Sequence, residues 1–207
     1  MQIRTEAIVL HLQHHSDRIS ILHLYTRESG RMAYLVYGIN GKRAHAQRAA
    51  LQPFSLVEIE AVHHAGRTMQ QLSKAHLNYV PQQSGSDIRR RTVGMFMAEI
   101  LLRTLTHPLA DDYLFAWLRQ MVVELDTTPH PENLHLQFMT GLTDFLGITP
   151  DWEQEDPVLQ QLADGESPLL SRPQRQQLLD RLCRYYAGEI DGFQTPASLA
   201  VLEELYD

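Results

Sequence analysis

The stretch ISILHLYTRESGRMAYLVY, residues 19–37, contains two alternating runs on either side of a short turn. Leu22 and Leu24 share one face of the first run, and Tyr34 and Val36 share one face of the second. Apolar residues at every second position are typical of a half-buried strand, and the Ser-Gly pair between the runs is a turn signal. The stretch therefore predicts two antiparallel strands.

Outward from this stretch, the same alternation recurs in three more segments of the first 80 residues, at 5–12, 54–62 and 68–79. Turn-forming residues separate the segments, and a longer insert lies between the third and the fourth of the five. Five short strands in this length favour a small closed barrel such as the OB-fold.

Beyond a polar linker at 81–85, the apolar period changes from two residues to three or four, which is typical of helices. Helix starts are predicted near Ser86, Asp111, Pro131, the capping box at Ser171, and Thr195. We therefore predict a mixed α and β chain, with a five-stranded OB-fold barrel in residues 1–80 and an all-helical domain in residues 81–207.

The composition is that of a globular chain, with 43% hydrophobic residues and a single cysteine, Cys183. One cysteine excludes an intramolecular disulfide and any multi-cysteine zinc or iron–sulfur site. No run of about 18 apolar residues is present, and a charged pair stands where a signal peptide would need its apolar stretch. We expect a cytoplasmic protein that does not enter the membrane.

Charge is distributed unevenly along the chain, although the formal net charge is -7. Residues 1–80 contain nine Lys and Arg against five Asp and Glu, whereas residues 81–207 contain nine against twenty. The first region is therefore net positive and the second is strongly negative. Such an asymmetry makes the first region the candidate for binding a polyanion.

Motifs of common enzyme classes are missing from the sequence. It contains neither a phosphate-binding nor a dinucleotide-binding glycine motif, and Cys183 lies among leucines of a predicted helix. The histidines at 11, 14 and 15 and the pair at 63 and 64 have no metal-ligand spacing, because neighbouring strand residues point to opposite faces. We predict no enzymatic activity, no cofactor and no metal site.

Basic and aromatic residues around the third strand suggest nucleic-acid binding. Single-stranded nucleic acid is held by a basic groove with aromatic platforms for the bases. The segment 38–43, Gly-Ile-Asn-Gly-Lys-Arg, presents a basic pair on a loop with two glycines. The alternative is that the tyrosines belong to the barrel core and the arginines are solvated. The predicted DNA-binding residues are Arg31, Tyr34, Tyr37, Lys42, Arg43, Arg48, Arg67 and Lys74.

Several motifs, in their order and spacing, resemble the RecO family of bacterial recombination and repair proteins. They are TEAIVL at 5–10, YTRESGR at 25–31, YGINGKR at 37–43, LQPFSLVE at 51–58, LCRYY at 182–186, GF at 192–193 and SLAVL at 198–202. The resemblance spans most of the chain. Lys42 and Arg43 match the basic loop of the family, and Arg31 matches its basic residue after the glycine turn.

The resemblance implies an OB-fold followed by a helical domain in a protein that is not an enzyme. It implies a cytoplasmic, nucleoid-associated monomer that binds single- and double-stranded DNA and anneals complementary strands. It also implies three protein partners. They are the acidic C-terminal tail of single-strand-binding protein (SSB), RecR and, indirectly, RecA, which family members help to load onto SSB-coated strands.

The segment 151–170 departs from the family pattern. Many members carry a four-cysteine zinc finger between the third helix and the closing helices, whereas this segment is short, acidic and free of cysteine. The finger is therefore lost, and we expect no zinc.

The helical domain contains a candidate site for the SSB tail, and the barrel allows a second class of function. Arg89, Arg90 and Arg91, with Arg103 on the same predicted helix, form the densest basic group of the helical domain, and a helix N-terminus attracts carboxylates. We expect these four arginines to bind the SSB tail, with the closing helices near Arg181 and Arg184 as the other location. A different class of function is an OB-fold protein–protein adaptor that does not bind DNA.

Overall fold

The computed structural model describes residues 1–39 and 45–205 of the chain. Its strands are β1 (Gln2–His14), β2 (Ile19–Thr26), β3 (Gly30–Tyr37), β4 (Leu56–Val62) and β5 (Met69–Leu77). They form a closed barrel in the order β1-β2-β3-β5-β4, in which β3 and β5 are parallel and the other neighbours are antiparallel. The predicted architecture, an OB-fold barrel followed by a helical region, is confirmed.

Strand β1 closes the barrel because it is long enough to pair on both sides. Its first half pairs with β4, where Ile3 faces Ala61, and its second half pairs with β2, where Leu12 faces Leu22. The register of the β1–β2 pair shifts just after Val9. Such a bulge bends a strand and increases its twist, which allows one strand to serve two neighbours.

The barrel core consists of the residues that the alternation placed on one face. Leu22 and Leu24 of β2 and Tyr34 and Val36 of β3 are buried in it. Residues of the other strands with the same alternation, such as Ile59, complete the cluster. The opposite residues of β2 and β3 therefore point away from the core.

The chain divides into two compact units, one formed by Met1–Gln82 with Leu105–Asp126 and the other by Gln83–Thr104 with Thr127–Asp207. The predicted boundary at residue 80 stays a prediction, but 105–126 lies in the unit of the barrel rather than with the later helices. Tyr25 of β2 accounts for part of this, because its ring stacks on Phe115. The barrel unit also contains helix α1 (His45–Ala50) and, up to Asp126, helix α3 (Asp112–Thr127).

The helical unit is ordered by caps that the sequence displays. Gly147 ends α4 in the left-handed conformation, with φ 69°, and the Ser171 amide donates to Gln174 Oε1 at 2.8 Å, as the predicted capping box requires. No helix in the described residues is both long and apolar enough to cross a membrane. The helices of this unit are α2 (Ile88–Thr104), α4 (Leu134–Leu146), α5 (Trp152–Glu155), α6 (Pro157–Ala163), α7 (Arg172–Glu189) and α8 (Ser198–Leu205).

Candidate nucleic-acid interface

The outer surface of β1, β2 and β3 is a sheet face with half-exposed apolar and aromatic side chains. Its residues pair across the strands, so that His11 faces His23, Ile21 faces Leu35 and Ile19 faces Tyr37. We call the surface formed by these six residues the β2–β3 face. Strands 2 and 3 and the adjoining loops form the ligand surface of OB-folds in general, so this face is the candidate interface.

Segment 105–111 covers one end of the β2–β3 face. The Arg31 guanidinium donates to the Leu105 carbonyl at 2.7 Å, and the Asp111 amide donates to the Tyr25 hydroxyl at 3.2 Å. Burial in this contact raises the pKa of Tyr25 to about 12. Arg31, predicted to bind DNA, therefore has a bond within the protein at the closed end of the face.

Gly30 allows this close approach. Its φ is 64°, and a Cβ built on it would lie 2.3 Å from the Leu109 carbonyl oxygen. Only glycine accommodates both the backbone conformation and the distance. Gly30 therefore forms the predicted turn and also allows segment 105–111 to pack against the barrel.

The other end of the β2–β3 face is open. Tyr37, the last residue of β3, is 52% exposed. The Gly38 amide donates to the Arg18 carbonyl at 3.1 Å, which brings the exposed β1–β2 turn next to the end of β3. Arg48 of α1 donates to the Ile39 carbonyl at 3.3 Å. An exposed aromatic ring and two arginine-bearing segments therefore meet where the chain continues into 40–44.

Lys42 and Arg43, the basic pair of the predicted loop, lie outside the described residues. Their predicted part in DNA binding stays a prediction.

Two histidines lie in the middle of the β2–β3 face, where His11 faces His23 and His23 pairs with Ala33. The rings of His11 and His23 have centroids 6.3 Å apart. Burial, followed by the charges of Arg31 and His11, lowers the pKa of His23, which favours its neutral imidazole. A neutral, flat ring on the same face as Tyr37 adds to a surface on which a base can stack. The alternation of β2 already indicated that His23 faces away from the core, although the charge and aromatic patterns did not single it out.

Tyr34, predicted as a base platform, lies in the barrel core and is 0% exposed. Its hydroxyl is 3.0 Å from His63 Nε2. A ring without exposed surface cannot stack on a base, so Tyr34 is a core residue and its prediction as a base platform is wrong. The alternative that the sequence left open, a tyrosine packed in the barrel, is right at this position and wrong for Tyr37.

The remaining predicted residues of the barrel lie elsewhere. Arg67 is exposed in the turn between β4 and β5. Lys74 of β5 faces Glu60 of β4, with Nζ 3.4 Å from Glu60 Oε2. The structure therefore groups Tyr37 and Arg48, and it places Lys74 in an ion pair on a different side of the barrel.

The predicted tail-binding arginines of α2 divide into two kinds. Arg89 and Arg91 are exposed, but Arg90 is 5% exposed and donates to the Thr128 carbonyl at 2.6 Å. Arg103 bonds to Glu99 at 2.6 Å. Arg90 and Arg103 therefore have structural partners, and the four arginines do not form one exposed strip.

Glu99 joins α2 to the start of α8. Its carboxylate accepts from the amides of Ala197 and Ser198, from the Ser198 hydroxyl and from Arg103. Burial alone would raise the pKa of Glu99, but these hydrogen bonds lower it to about 2. Arg103 is part of this hydrogen-bond network, so its role is structural.

A groove of about 360 Å³ lies between α7 and the short helices α5 and α6. Trp152 and Tyr185, with ring centroids 5.8 Å apart, form part of its wall. Arg181 at its edge is bonded to Glu155 and Asp156, whereas Arg184 is exposed. The groove thus combines an aromatic wall with one exposed cation, Arg184, while Glu155 of its lining pairs with Arg181.

The described residues offer neither a group of metal ligands nor a reactive thiol. Within 1–39 and 45–205, no three His, Cys, Asp or Glu residues are grouped as metal ligands. Burial raises the pKa of the Cys183 thiol to about 11, which disfavours the reactive thiolate. The expected absence of zinc stays a prediction.

Two family models match this chain, described as Recombination protein O N terminal, over residues 1–79, and Recombination protein O C terminal, over residues 85–155. Proteins named DNA repair protein RecO are similar over the full length of both chains, with 28% identity in Flavobacterium johnsoniae and 29% in Porphyromonas gingivalis. The protein of that name from Bacteroides fragilis is 31% identical over 150 residues, which are 72% of this chain and 62% of the relative.

Proposed function

This chain belongs to the RecO family of DNA repair proteins, and we propose from that membership that it is a recombination mediator without enzymatic activity. It binds single- and double-stranded DNA and anneals complementary strands. With RecR it promotes loading of RecA onto SSB-coated single strands. It acts as a nucleoid-associated monomer in the cytoplasm.

The observation that carries this proposal is the open end of the β2–β3 face. Tyr37 offers an exposed ring there, and the hydrogen bond to the Arg18 carbonyl brings the β1–β2 turn beside it. An aromatic platform next to basic groups is the arrangement that holds single strands without sequence preference. In this proposal, bases stack on Tyr37 and on the imidazoles of His11 and His23 on the same face, while Arg18, Lys42 and Arg43 contact phosphates.

Such binding favours annealing for an electrostatic reason. Two complementary strands repel each other through their phosphates, and bound cationic side chains reduce that repulsion. Stacking is independent of sequence, since every base has a π-face. The protein can therefore hold any strand and give it up when base pairing with a complement is more favourable.

The experiment is a titration of a fluorescent oligodeoxythymidylate with the full chain at about 50 and about 200 mM salt. We expect binding that weakens as salt rises, because the binding of phosphates by cationic side chains releases counterions. The adaptor alternative would be favoured if the oligonucleotide did not bind at either salt concentration, or if its affinity did not change with salt. Annealing of two labelled complementary strands, followed by energy transfer, then tests the mediator activity itself.

The groove beside α7 supports a second part of the proposal, the binding of the acidic SSB tail. An acidic peptide with an apolar end needs a basic group next to an apolar surface, because the negative charge of the helical region opposes its approach. Arg184 and the wall of Trp152 and Tyr185 supply both. We propose the groove in preference to α2, where Arg90 is buried.

The test is a titration of a synthetic acidic tail peptide into the wild type and into two variants, each with one arginine changed to glutamate. Arg184→Glu is expected to weaken peptide binding, and Arg91→Glu, an exposed reversal on α2, is expected to leave it unchanged. The opposite result would return the site to the start of α2.

A further inference from the structure

The turn between β4 and β5 is fixed from inside the barrel by one side chain. Gln70, at the start of β5, is 5% exposed. Its carbonyl oxygen accepts from the His64 amide at 2.7 Å, and its NH₂ group donates to the carbonyls of His64 and Arg67 at 3.2 and 2.9 Å. One buried amide therefore bonds to both sides of the turn.

The beginning of the same turn is anchored independently. The His63 amide donates to the Met1 carbonyl at 2.8 Å, and the Met1 ammonium donates back to the His63 carbonyl at 2.6 Å. The imidazole of His63 is also 3.0 Å from the Tyr34 hydroxyl. Backbone bonds and two buried side chains thus define the path of the turn.

The turn places its charge outside while its backbone is held inside. Arg67 and His64 are exposed, although their backbone groups bond to a buried residue. The turn also lies next to β3, because Met69 and Gln70 pair with Ala33 and Tyr34. Because β3 and β5 are parallel, the turn lies toward the start of β3, at the end of the β2–β3 face opposite Tyr37. In OB-folds the loop between the fourth and fifth strands belongs to the ligand surface.

We infer that Gln70 is a positioning residue for DNA, which holds the β4–β5 turn so that Arg67 contacts a phosphate. This inference rests on the proposed function, and it names a neutral, buried residue that acts through a charged one. Holding the turn in advance lowers the entropy lost when DNA binds, since fewer conformations have to be given up.

The experiment compares the salt dependence of oligodeoxythymidylate binding by four variants of the full chain. Gln70→Met keeps the volume of the side chain and removes its three hydrogen bonds, and Arg67→Ala removes the charge. The double variant tests whether the two act together. Gln137→Met is the matched control, because the Gln137 amide also bonds to loop carbonyls, at 165 and 166, but in the helical unit.

We expect Arg67→Ala to lower the slope of log affinity against log salt by about 0.7, which is the value for one phosphate on a single strand. Gln70→Met should lower it by the same amount although it removes no charge, and the double variant should go no further. Between about 50 and 200 mM salt, each variant then loses about 2.6-fold less affinity than the wild type. Gln137→Met should keep the wild-type slope.

Two results would overturn the inference. One is a wild-type slope in Gln70→Met when Arg67→Ala lowers it, and the other is an additive effect in the double variant, as general damage to the barrel would give. If Gln70→Met does not fold, Gln70→Asn replaces it, because the shorter amide is also neutral and polar but cannot reach the His64 and Arg67 backbone groups in the same way. A wild type without salt-dependent binding would overturn the proposed function itself, which separates the two failures.

Discussion

Tyr34 and Tyr37 lie three residues apart on β3, and the difference in their exposure decides what each can do. The Tyr34 ring is enclosed by the barrel, and burial raises the pKa of its hydroxyl. The Tyr37 ring lies at the open end of the β2–β3 face and is 52% exposed. A base needs an accessible aromatic surface, so Tyr37 is the platform in our account.

Replacing Tyr37 with alanine should weaken single-stranded DNA binding without changing stability. Removal of the platform for one stacked base costs about 1–3 kcal/mol, which is fivefold or more in affinity. Tyr37→Phe keeps the ring and should bind as the wild type does. Fluorescence anisotropy with a labelled oligonucleotide measures both variants, and wild-type affinity of Tyr37→Ala would remove this ring from the interface.

The basic pair in the loop after β3 should bind phosphates of the DNA backbone. The double variant Lys42→Ala with Arg43→Ala is expected to lower the salt slope by about 0.7 for each phosphate that the loop no longer neutralises. Lys74→Ala is the control, because Lys74 is paired with Glu60 on another side of the barrel. The salt slope is measured by the same titration, and a slope that falls only in Lys74→Ala would place the DNA on the β4–β5 side.

At the scale of elements, segment 105–111 determines which part of the β2–β3 face is accessible. Its backbone forms hydrogen bonds with Arg31 and with the Tyr25 hydroxyl, and it does not cover the Tyr37 end. The absence of a side chain at Gly30 makes this possible. The segment therefore converts a uniform sheet face into one with a closed end and an open end.

Gly30→Ala should lower the free energy of unfolding more than Gly66→Ala does. Both glycines have positive φ, 64° and 76°, so backbone strain costs both variants about 1–2 kcal/mol. Only the Gly30 variant also places a Cβ against the Leu109 carbonyl, since nothing lies within 4 Å of a Cβ at Gly66. Urea denaturation measures the difference, and equal decreases in stability would show that the segment moves aside without cost.

The junction of α2 with α8 should weaken in acid. Hydrogen bonds lower the pKa of Glu99 from 4.5 to about 2, so its contribution is present above pH 4.5 and is lost as the pH falls toward 2. The shift corresponds to at most about 3 kcal/mol. Urea denaturation at several pH values should show that Glu99→Gln lowers the free energy of unfolding at pH 7. It should also reduce the further loss of stability between pH 4.5 and 2, which we call the acid limb. The exposed Glu204→Gln should do neither, and an unchanged acid limb in Glu99→Gln would contradict the assignment.

Sequence patterns predicted the regular elements well, because short-range periodicity and caps determine them. The alternation in 19–37 gave β2 and β3, and Gly147 and Ser171 marked real helix ends. The short helices α5 and α6 were not predicted, since the acidic segment 151–170 has too few apolar residues to show a period. Their caps, Asp151 and Asp156, were visible only as acidic residues.

For the candidate site, charge and aromatic patterns alone could not separate exposed from enclosed side chains. Arg31 and Arg90 look like solvated cations in sequence, yet each bonds to a backbone carbonyl from a distant segment. Such pairings depend on the fold and leave no local signal. Gln70 was missed for the same reason, because nothing in a strand pattern indicates which turn a buried amide holds.

For the whole molecule, the distribution of charge favours the barrel as the DNA-binding part in our proposal. The first 80 residues carry the positive excess, and the remaining residues carry twenty of the 25 acids. The acidic region repels a phosphate backbone, so its part in our account is to bind partners. The central claim is therefore one of location: single-stranded DNA lies on the open end of the β2–β3 face.

Photo-crosslinking tests that location most directly. The full chain is irradiated with an oligonucleotide in which bromodeoxyuridine replaces thymidine, and the crosslinked peptides are identified by mass spectrometry. We expect crosslinks in peptides that contain Tyr37 or the β1–β2 turn at 15–18, and a lower yield of these crosslinks in Tyr37→Ala. Crosslinks confined to 83–104 and 127–205, with none in the barrel, would contradict it.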